Sequence, residues 1–375
     1  MSRVNPPFRA DHVGSLLRPA QLLEARAKHA NGEIDAAALR EAEDSAIAEV
    51  VRKQAAVGLG DATDGEFRRA FFHIDFLKQL DGVTVSGAIA TNKSVHNTPG
   101  GFTPQRITVT GKLKHAGPIQ VPAFAFLKQQ AATARVTPKV SIPSPTMVHF
   151  RGGRAAIDIK SYPDLDRFFE DLAAAYRAEI DLLYAAGCRY LQLDDTNLAY
   201  LCDVDMRAAA KERGEDPDSL PRQYAGLINR TLHGRPDDLT VAVHLCRGNY
   251  RSTWFAKGGY EPVAQVLFNE LEVDAYFLEY DDERSGDFAP LRHVPAGKSV
   301  VLGLVSSKTP ELEAMDALRR RIDEAARYVD LAQLCLSPQC GFASTVEGNR
   351  LTEGQQWAKL ERVVETARKV WGDPP

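Results

Sequence analysis

Short apolar runs rich in β-branched residues alternate along this chain with longer stretches whose apolar positions recur every three to four residues. Residues 36–57 carry Leu39, Ile47, Val50, Val51 and Val57 at helical spacing and stop at Gly58. Residues 164–186 place Leu165, Phe168, Phe169, Leu172, Tyr176, Ile180 and Leu183 in the same way and stop at Gly187. Thr309-Pro310 predicts the start of another helix, and Thr352 with Gln355 predicts a capping box ahead of Trp357, Leu360, Val363 and Val364. Eight strand candidates stand among these helices, near 11–14, 59–63, 139–143, 189–193, 240–246, 274–279, 299–305 and 332–336. Strictly alternating strands and helices favour a parallel sheet, and eight such units close into a single (β/α)8 TIM barrel, here spanning residues 1–375. Residues 81–125 break the rhythm with two alternating β-type segments after the second strand, read as an inserted hairpin projecting over one barrel mouth.

The residues at the strand ends matter more than the number of strands. The successive ends read HVGS, TDGE, PSPT, LDDTN, HLCRGN, LEYDD, LVSSK and SPQCGF, so polar residues gather at the end of the barrel where active sites of this fold lie. In VAVHLCRGN, His244 and Cys246 are two apart and share one strand face. Glu279 closes the sixth strand and Cys340 lies in the turn after the eighth. One nitrogen, two sulfurs and one oxygen suit tetrahedral zinc, and their spread along the chain differs from the local Cys-x-x-Cys pairs of structural sites. Cys188, Cys202 and Cys335 read as buried packing residues.

Composition narrows the setting. With 46 basic and 50 acidic residues, the chain carries no field that would attract nucleic acid or an anionic membrane. It contains no long uncharged apolar run, and MSRVNPPFRADHVG lacks the apolar core of a signal peptide, so the expectation is a cytoplasmic protein acting on small molecules. Five cysteines are too few for a disulfide scaffold.

In order and spacing, ADHVGSLLRP, TDGEFRR, LQLDD, VHLCRGN, FLEYDD and SPQCGF resemble the catalytic barrel of the cobalamin-independent methionine synthase family, and more closely its short, single-barrel relatives. The resemblance implies a zinc held by His244, Cys246, Glu279 and Cys340 that activates an acceptor thiol for attack on an alkyl donor. It also implies that Ser15 and the Gly14 backbone hold the acceptor carboxylate, and that Glu66 and Asp194 hold its ammonium. Coordination would convert a thiol that is only a few per cent ionised at neutral pH into thiolate, a gain of roughly thirtyfold. Positioning of the donor carbon has to supply much of the remaining acceleration.

Two departures from the family pattern concern the donor. Where methionine synthases carry a histidine acid after the seventh strand, this chain reads LVSSK, with Ser306 or Ser307, and a serine hydroxyl is too weak an acid to protonate a folate amine. Where the family places a tryptophan, the chain reads TMVHF, leaving Phe150 or His149. His12 is a candidate substitute acid with a structural hydrogen bond as its alternative, and Asp195 is expected to brace the loop after the fourth strand. Arg18, Arg68 and Arg69 are candidates for an anionic group, two of them being expected to form ordinary ion pairs. Three functions are compatible with these residues: methylation of a homocysteine-like thiol; alkylation of another thiol, as in the epoxyalkane:coenzyme M transferases of the same superfamily; and a zinc-binding barrel without turnover. The donor and the oligomeric state stay open.

Overall fold

A parallel strand covered on both faces needs apolar residues at nearly every position, and the sequence supplies such runs at regular intervals. The computed structural model describes residues 5–88 and 105–373. Its strands are β1 (Asp61–Ala62), β2 (Leu80–Ala88), β3 (Gln105–His115), β4 (Thr137–Pro138), β5 (Val140–Pro143), β6 (Tyr190–Asp195), β7 (Thr240–Leu245), β8 (Ala275–Glu279), β9 (Ser299–Val305) and β10 (Leu334–Pro338). Strands β5 to β10 pair in order, all parallel, and β1 pairs in parallel with β4. The N-terminal segment closes the ring. Its Asp11 N–H donates to the Leu336 carbonyl at 3.0 Å on one side, and Leu16 N–H donates to the Gly65 carbonyl at 3.1 Å on the other. The architecture is a (β/α)8 barrel.

Alternation along each strand divides two cores. In β7, Val241, Val243 and Leu245 face the helical layer, whereas Ala242 joins Val13, Tyr190, Ala275, Phe277, Val301 and Cys335 inside the barrel. Beside this interior cluster, the buried Lys139 ammonium pairs with Asp11 at 2.9 Å, and the Tyr190 hydroxyl donates to Asp11 at 2.8 Å. A charge this deep is stable only with such partners.

The helices at Ala36–Ala56 and Leu165–Ala185 lie where periodicity places them, started by Asp35 and Asp164 as N-caps. Thr352 and Gln355 make both bonds of the capping box before the helix Glu353–Trp371. Thr309-Pro310 does not start a helix. The next helix begins at Met315, because the preceding segment is pinned from outside: the Lys359 ammonium donates to the Glu311 carbonyl and meets the Glu313 carboxylate at 3.0 Å, and Glu313 also accepts from Ser306 N–H.

Strands β2 and β3 form an antiparallel pair leaning on the helix Leu165–Ala185. The buried Glu179 accepts from His115, Ile119 N–H and Gln120 N–H at 2.7, 2.9 and 2.6 Å. The β-type stretch ends before residue 125, since Val121–Ala134 is a helix with proline in its first turn. The expectation that the hairpin covers a barrel mouth concerns its turn, residues 89–104, which lies outside the described residues. Among the described residues, no helix is long and apolar enough to cross a membrane.

Candidate active site

The carboxyl ends of the strands converge on one cavity. His244 in β7 and Cys246 just beyond it share a face, Glu279 ends β8, and Cys340 lies just after β10. All four are buried, and their ligand atoms lie within 4.8 Å of one another. The two sulfurs are 3.4 Å apart. Ligands about 2.0–2.3 Å from a tetrahedral zinc stand roughly 3.3–3.8 Å from each other, so the donor set and spacing fit that ion. Both ring nitrogens of His244 are buried and bonded to no oxygen or nitrogen of the protein, which suits a residue that serves as a metal ligand.

Supporting bonds hold this group in place. Asn249 donates to the Gly341 carbonyl at 2.8 Å and so ties the loop after β7 to the Cys340 turn. Glycine at 341 lets the turn approach Ser15 closely, since a Cβ there would stand 1.9 Å from the Ser15 Oγ and displace that hydroxyl. Glu279 accepts from Arg247 N–H at 3.0 Å and from the Arg284 guanidinium at 3.1 Å. Burial by itself would raise the Glu279 carboxyl, but the charges of Lys308, Arg284 and Arg247 outweigh it and hold the group at about 2. Glu279 is therefore an ionised ligand candidate with other partners within reach. Arg247, Asn249, Arg284 and Lys308 were invisible to motif reading as site residues, although Arg247 and Asn249 lie inside VHLCRGN.

Ser15, Glu66 and Asp194 line the same cavity. Glu66 has φ +60°, a left-handed conformation unusual for a side-chain-bearing residue, which marks a strained backbone at this position. Its Oε1 accepts from Ser141 at 2.9 Å, while its Oε2 is buried and unpartnered. Burial pushes Asp194 up to about 7, with His244 opposing and Glu66 adding, and burial also raises Glu66. Two buried carboxyls that resist ionisation together are stabilised by a cation placed between them. Ser15 Oγ accepts from Ala343 N–H at 3.3 Å, and its carbonyl accepts from Phe342 N–H, which holds the Gly14–Ser15 turn against the Cys340 loop.

The other candidates lie elsewhere. His12 is buried with its Nε2 3.4 Å from Asp61, off the cavity wall, and burial with nearby Lys139 drives it down to about 3. Ser306 donates to Asp281 at 2.9 Å, and Ser307 donates to Gln339 at 2.6 Å; neither lines the cavity. Arg18 directs its two terminal nitrogens to the Ala343, Thr345, Glu66 and Arg69 carbonyls. Arg68 pairs with Glu43 and Asp44, and Arg69 with Glu66 and the Ser141 carbonyl, so all three are structural. Asp195 braces its loop by accepting from Thr146 and Leu198 N–H. Phe150 packs on Tyr200 and Tyr224, and His149 shares a hydrogen bond of 2.9 Å with the Tyr224 hydroxyl, both beneath the wall. The residue of that segment that reaches the cavity is Arg151, joined there by His73 and Tyr200.

The chain is similar to known proteins over nearly its whole length. The profile of the cobalamin-independent synthase catalytic domain matches residues 8–369. The Bacillus subtilis protein YxjH is 50% identical over 366 residues, covering 97% of this chain and 95% of its own. The methionine synthase of Pyrococcus abyssi is 24% identical over 331 residues, covering 88% of this chain and 85% of its own. A solved Listeria monocytogenes structure, assigned as a putative vitamin-B12 independent methionine synthase, superposes with a TM-score of 0.79 at 41% identity, covering 98% of this chain and 99% of its own.

Proposed function

The chain belongs to the cobalamin-independent methionine synthase family, and from that premise we propose that it is a zinc-dependent S-methyltransferase for a homocysteine-like thiol. The observation that carries this reading is a four-residue zinc ligand set, three of whose members, His244, Cys246 and Cys340, line one cavity with two buried carboxyls, one of them with an unpartnered oxygen. Zinc held by His244, Cys246, Glu279 and Cys340 would keep the acceptor sulfur as thiolate at neutral pH. Glu66 and Asp194 take the acceptor ammonium, and the Gly14–Ser15 turn takes its carboxylate. These contacts aim the sulfur at the donor carbon, where a C–S bond forms as the bond from that carbon to its leaving atom breaks and the electron pair departs with the leaving atom. Glu279 can yield its place, because Arg284 and Arg247 N–H already hold its oxygens. The test is elemental analysis for one zinc per chain, together with mass spectrometric detection of methionine formed from homocysteine. Protein without stoichiometric zinc, or zinc-loaded protein that forms no thioether from any donor, would overturn the proposal, the second result favouring a zinc-binding barrel without turnover.

A second reading, alkylation by a donor other than methyl-folate, is favoured by Ser306. Its hydroxyl is engaged with Asp281 away from the cavity, so the chain lacks at this position the acid that a departing folate nitrogen needs. General-acid assistance is typically worth about 10²- to 10⁴-fold. Zinc-loaded protein given homocysteine with methyl-folate, a sulfonium or an epoxide should form thioether fastest with a donor whose leaving group needs no acid. Rapid turnover with methyl-folate alone would return the chain to the first reading in full.

A further inference from the structure

The cavity has a second wall that the zinc and acceptor residues do not use. It is built from the segments that follow the strands: Phe71, Phe72 and His73 after β1, Arg151 after β5, Tyr200 at the end of the short helix after β6 and Phe255 after β7. Arg151 differs from the other arginines at this end of the barrel. Arg18 is spent on carbonyls, Arg68, Arg69 and Arg284 meet carboxylates, and Arg247 is held by Tyr260, the Gly258 carbonyl and the Glu279 carbonyl. Arg151 and Tyr200 line this wall together, and among the described residues no ion pair of Arg151 with a carboxylate is formed. His73 beside it is buried, and its Nδ1 has no protein partner. A half-buried guanidinium facing an aromatic-lined cavity without a counter-ion is a site for a planar anion, which it can bind by two parallel charge-assisted bonds.

We propose that Arg151, on the same wall as Tyr200, anchors a carboxylate or similar planar anion carried by the alkyl donor, and so favours donors that bear such a group over analogues that lack it. This rests on the reading of the site as a thiol alkylation centre. The donor is the assigned owner of the anion because Glu66 and Asp194 already serve the acceptor in the proposed function, whereas Arg151 and His73 line the part of the cavity that the acceptor contacts leave unused. Aromatic rings around the guanidinium fit a donor with a flat ring next to its charge.

The experiment uses the full-length, zinc-loaded protein saturated with homocysteine and needs no turnover. Benzoate and benzamide, equal in ring and different in charge, are titrated calorimetrically into wild type, Arg151→Gln and Arg151→Lys. The expected result is a preference for benzoate of roughly tenfold or more in wild type, lost in Arg151→Gln and partly kept in Arg151→Lys. Homocysteine and 3-aminopropanethiol, which lacks the carboxylate, should bind Arg151→Gln as they bind wild type. Equal affinity for the two aromatic probes in wild type would overturn the proposal. So would a loss of homocysteine binding in Arg151→Gln that spares 3-aminopropanethiol, which would assign the anion to the acceptor. Near-ultraviolet circular dichroism of both variants identifies a misfolded one, and the Arg151→Lys result then decides. A benzoate preference in protein that forms no thioether would keep the anion subsite while sinking the catalytic reading.

Discussion

The two walls of the cavity are built differently. The wall bearing His244, Cys246, Glu279 and Cys340 consists of strand ends and the turns directly beyond them, locked to one another by Asn249, Arg247 and the close approach of Gly341 to Ser15. The facing wall consists of residues set beyond the strand ends, Phe71 to His73, Arg151 and Tyr200, the last closing the short helix Asn197–Tyr200. A strand end fixes a side chain through the sheet ladder, which is what a metal with strict distances demands. A loop can change its residue without disturbing the barrel, and donor choice can vary there while the metal wall stays the same.

The contrast between the walls should show most strongly on the metal side. Cys246→Ser or Cys340→Ser should lose stoichiometric zinc and lower thiol alkylation by at least about 10³-fold, since a remaining three-ligand set with one hydroxyl binds zinc poorly. Stoichiometric zinc in both variants by elemental analysis would remove the ligand assignment. The acceptor contacts come next. Glu66→Gln and Asp194→Asn should weaken homocysteine by roughly 10²- to 10³-fold, because a buried charge loses its partner, and should leave a thiol without an amine nearly unchanged. Equal losses for both thiols in a competition assay would rule out an ammonium pocket.

The loop wall has its own sensitivity. Burial, with Arg213 and Arg154 nearby, drives His149 down to about 4 from 6.5. The folded-state value lies below the unfolded one, so the contribution of the neutral ring is complete above pH 6.5 and is lost as pH falls toward 4. Between pH 6.5 and pH 5 this amounts to about 2 kcal/mol at most. The difference in unfolding free energy between wild type and His149→Gln should shrink by about that amount over the same interval. Parallel denaturation curves across this range would show that His149 is not held neutral under the Arg151 loop. The smallest effect is expected at Ser306. Its hydroxyl serves Asp281, so Ser306→Ala should change thioether formation by less than about threefold. A fall of about 10²-fold or more would restore Ser306 as the acid and bring the loop wall into the chemistry.

Legibility in the sequence was divided in the same way. The barrel could be read because β-branched runs alternate with helical periodicity, and the His244-Cys246 pair because two residues apart on a strand means one face. Thr309-Pro310 misled because a start signal is a local preference, and Lys359, far along the chain, holds that segment open through Glu311 and Glu313. The TMVHF segment offered Phe150 or His149, but the short 3₁₀ turn at Pro145–Val148 rotates both under the wall and leaves Arg151 facing the cavity. Loop geometry of this kind has no period to read.

Spacing along one chain was enough to set the order of strands and helices, the polar end of the barrel and the types of atom available for a metal. Which polar groups are left without partners was settled in the folded arrangement alone. Arg18, Arg68, Arg69 and Arg151 are one residue type in similar local settings, yet three are consumed by carbonyls and carboxylates from distant parts of the chain and one faces the cavity. Whether a buried charge is structural or free to meet a ligand depends on what the fold brings within about 3 Å of it. That distance is set by the packing of elements far apart in the chain.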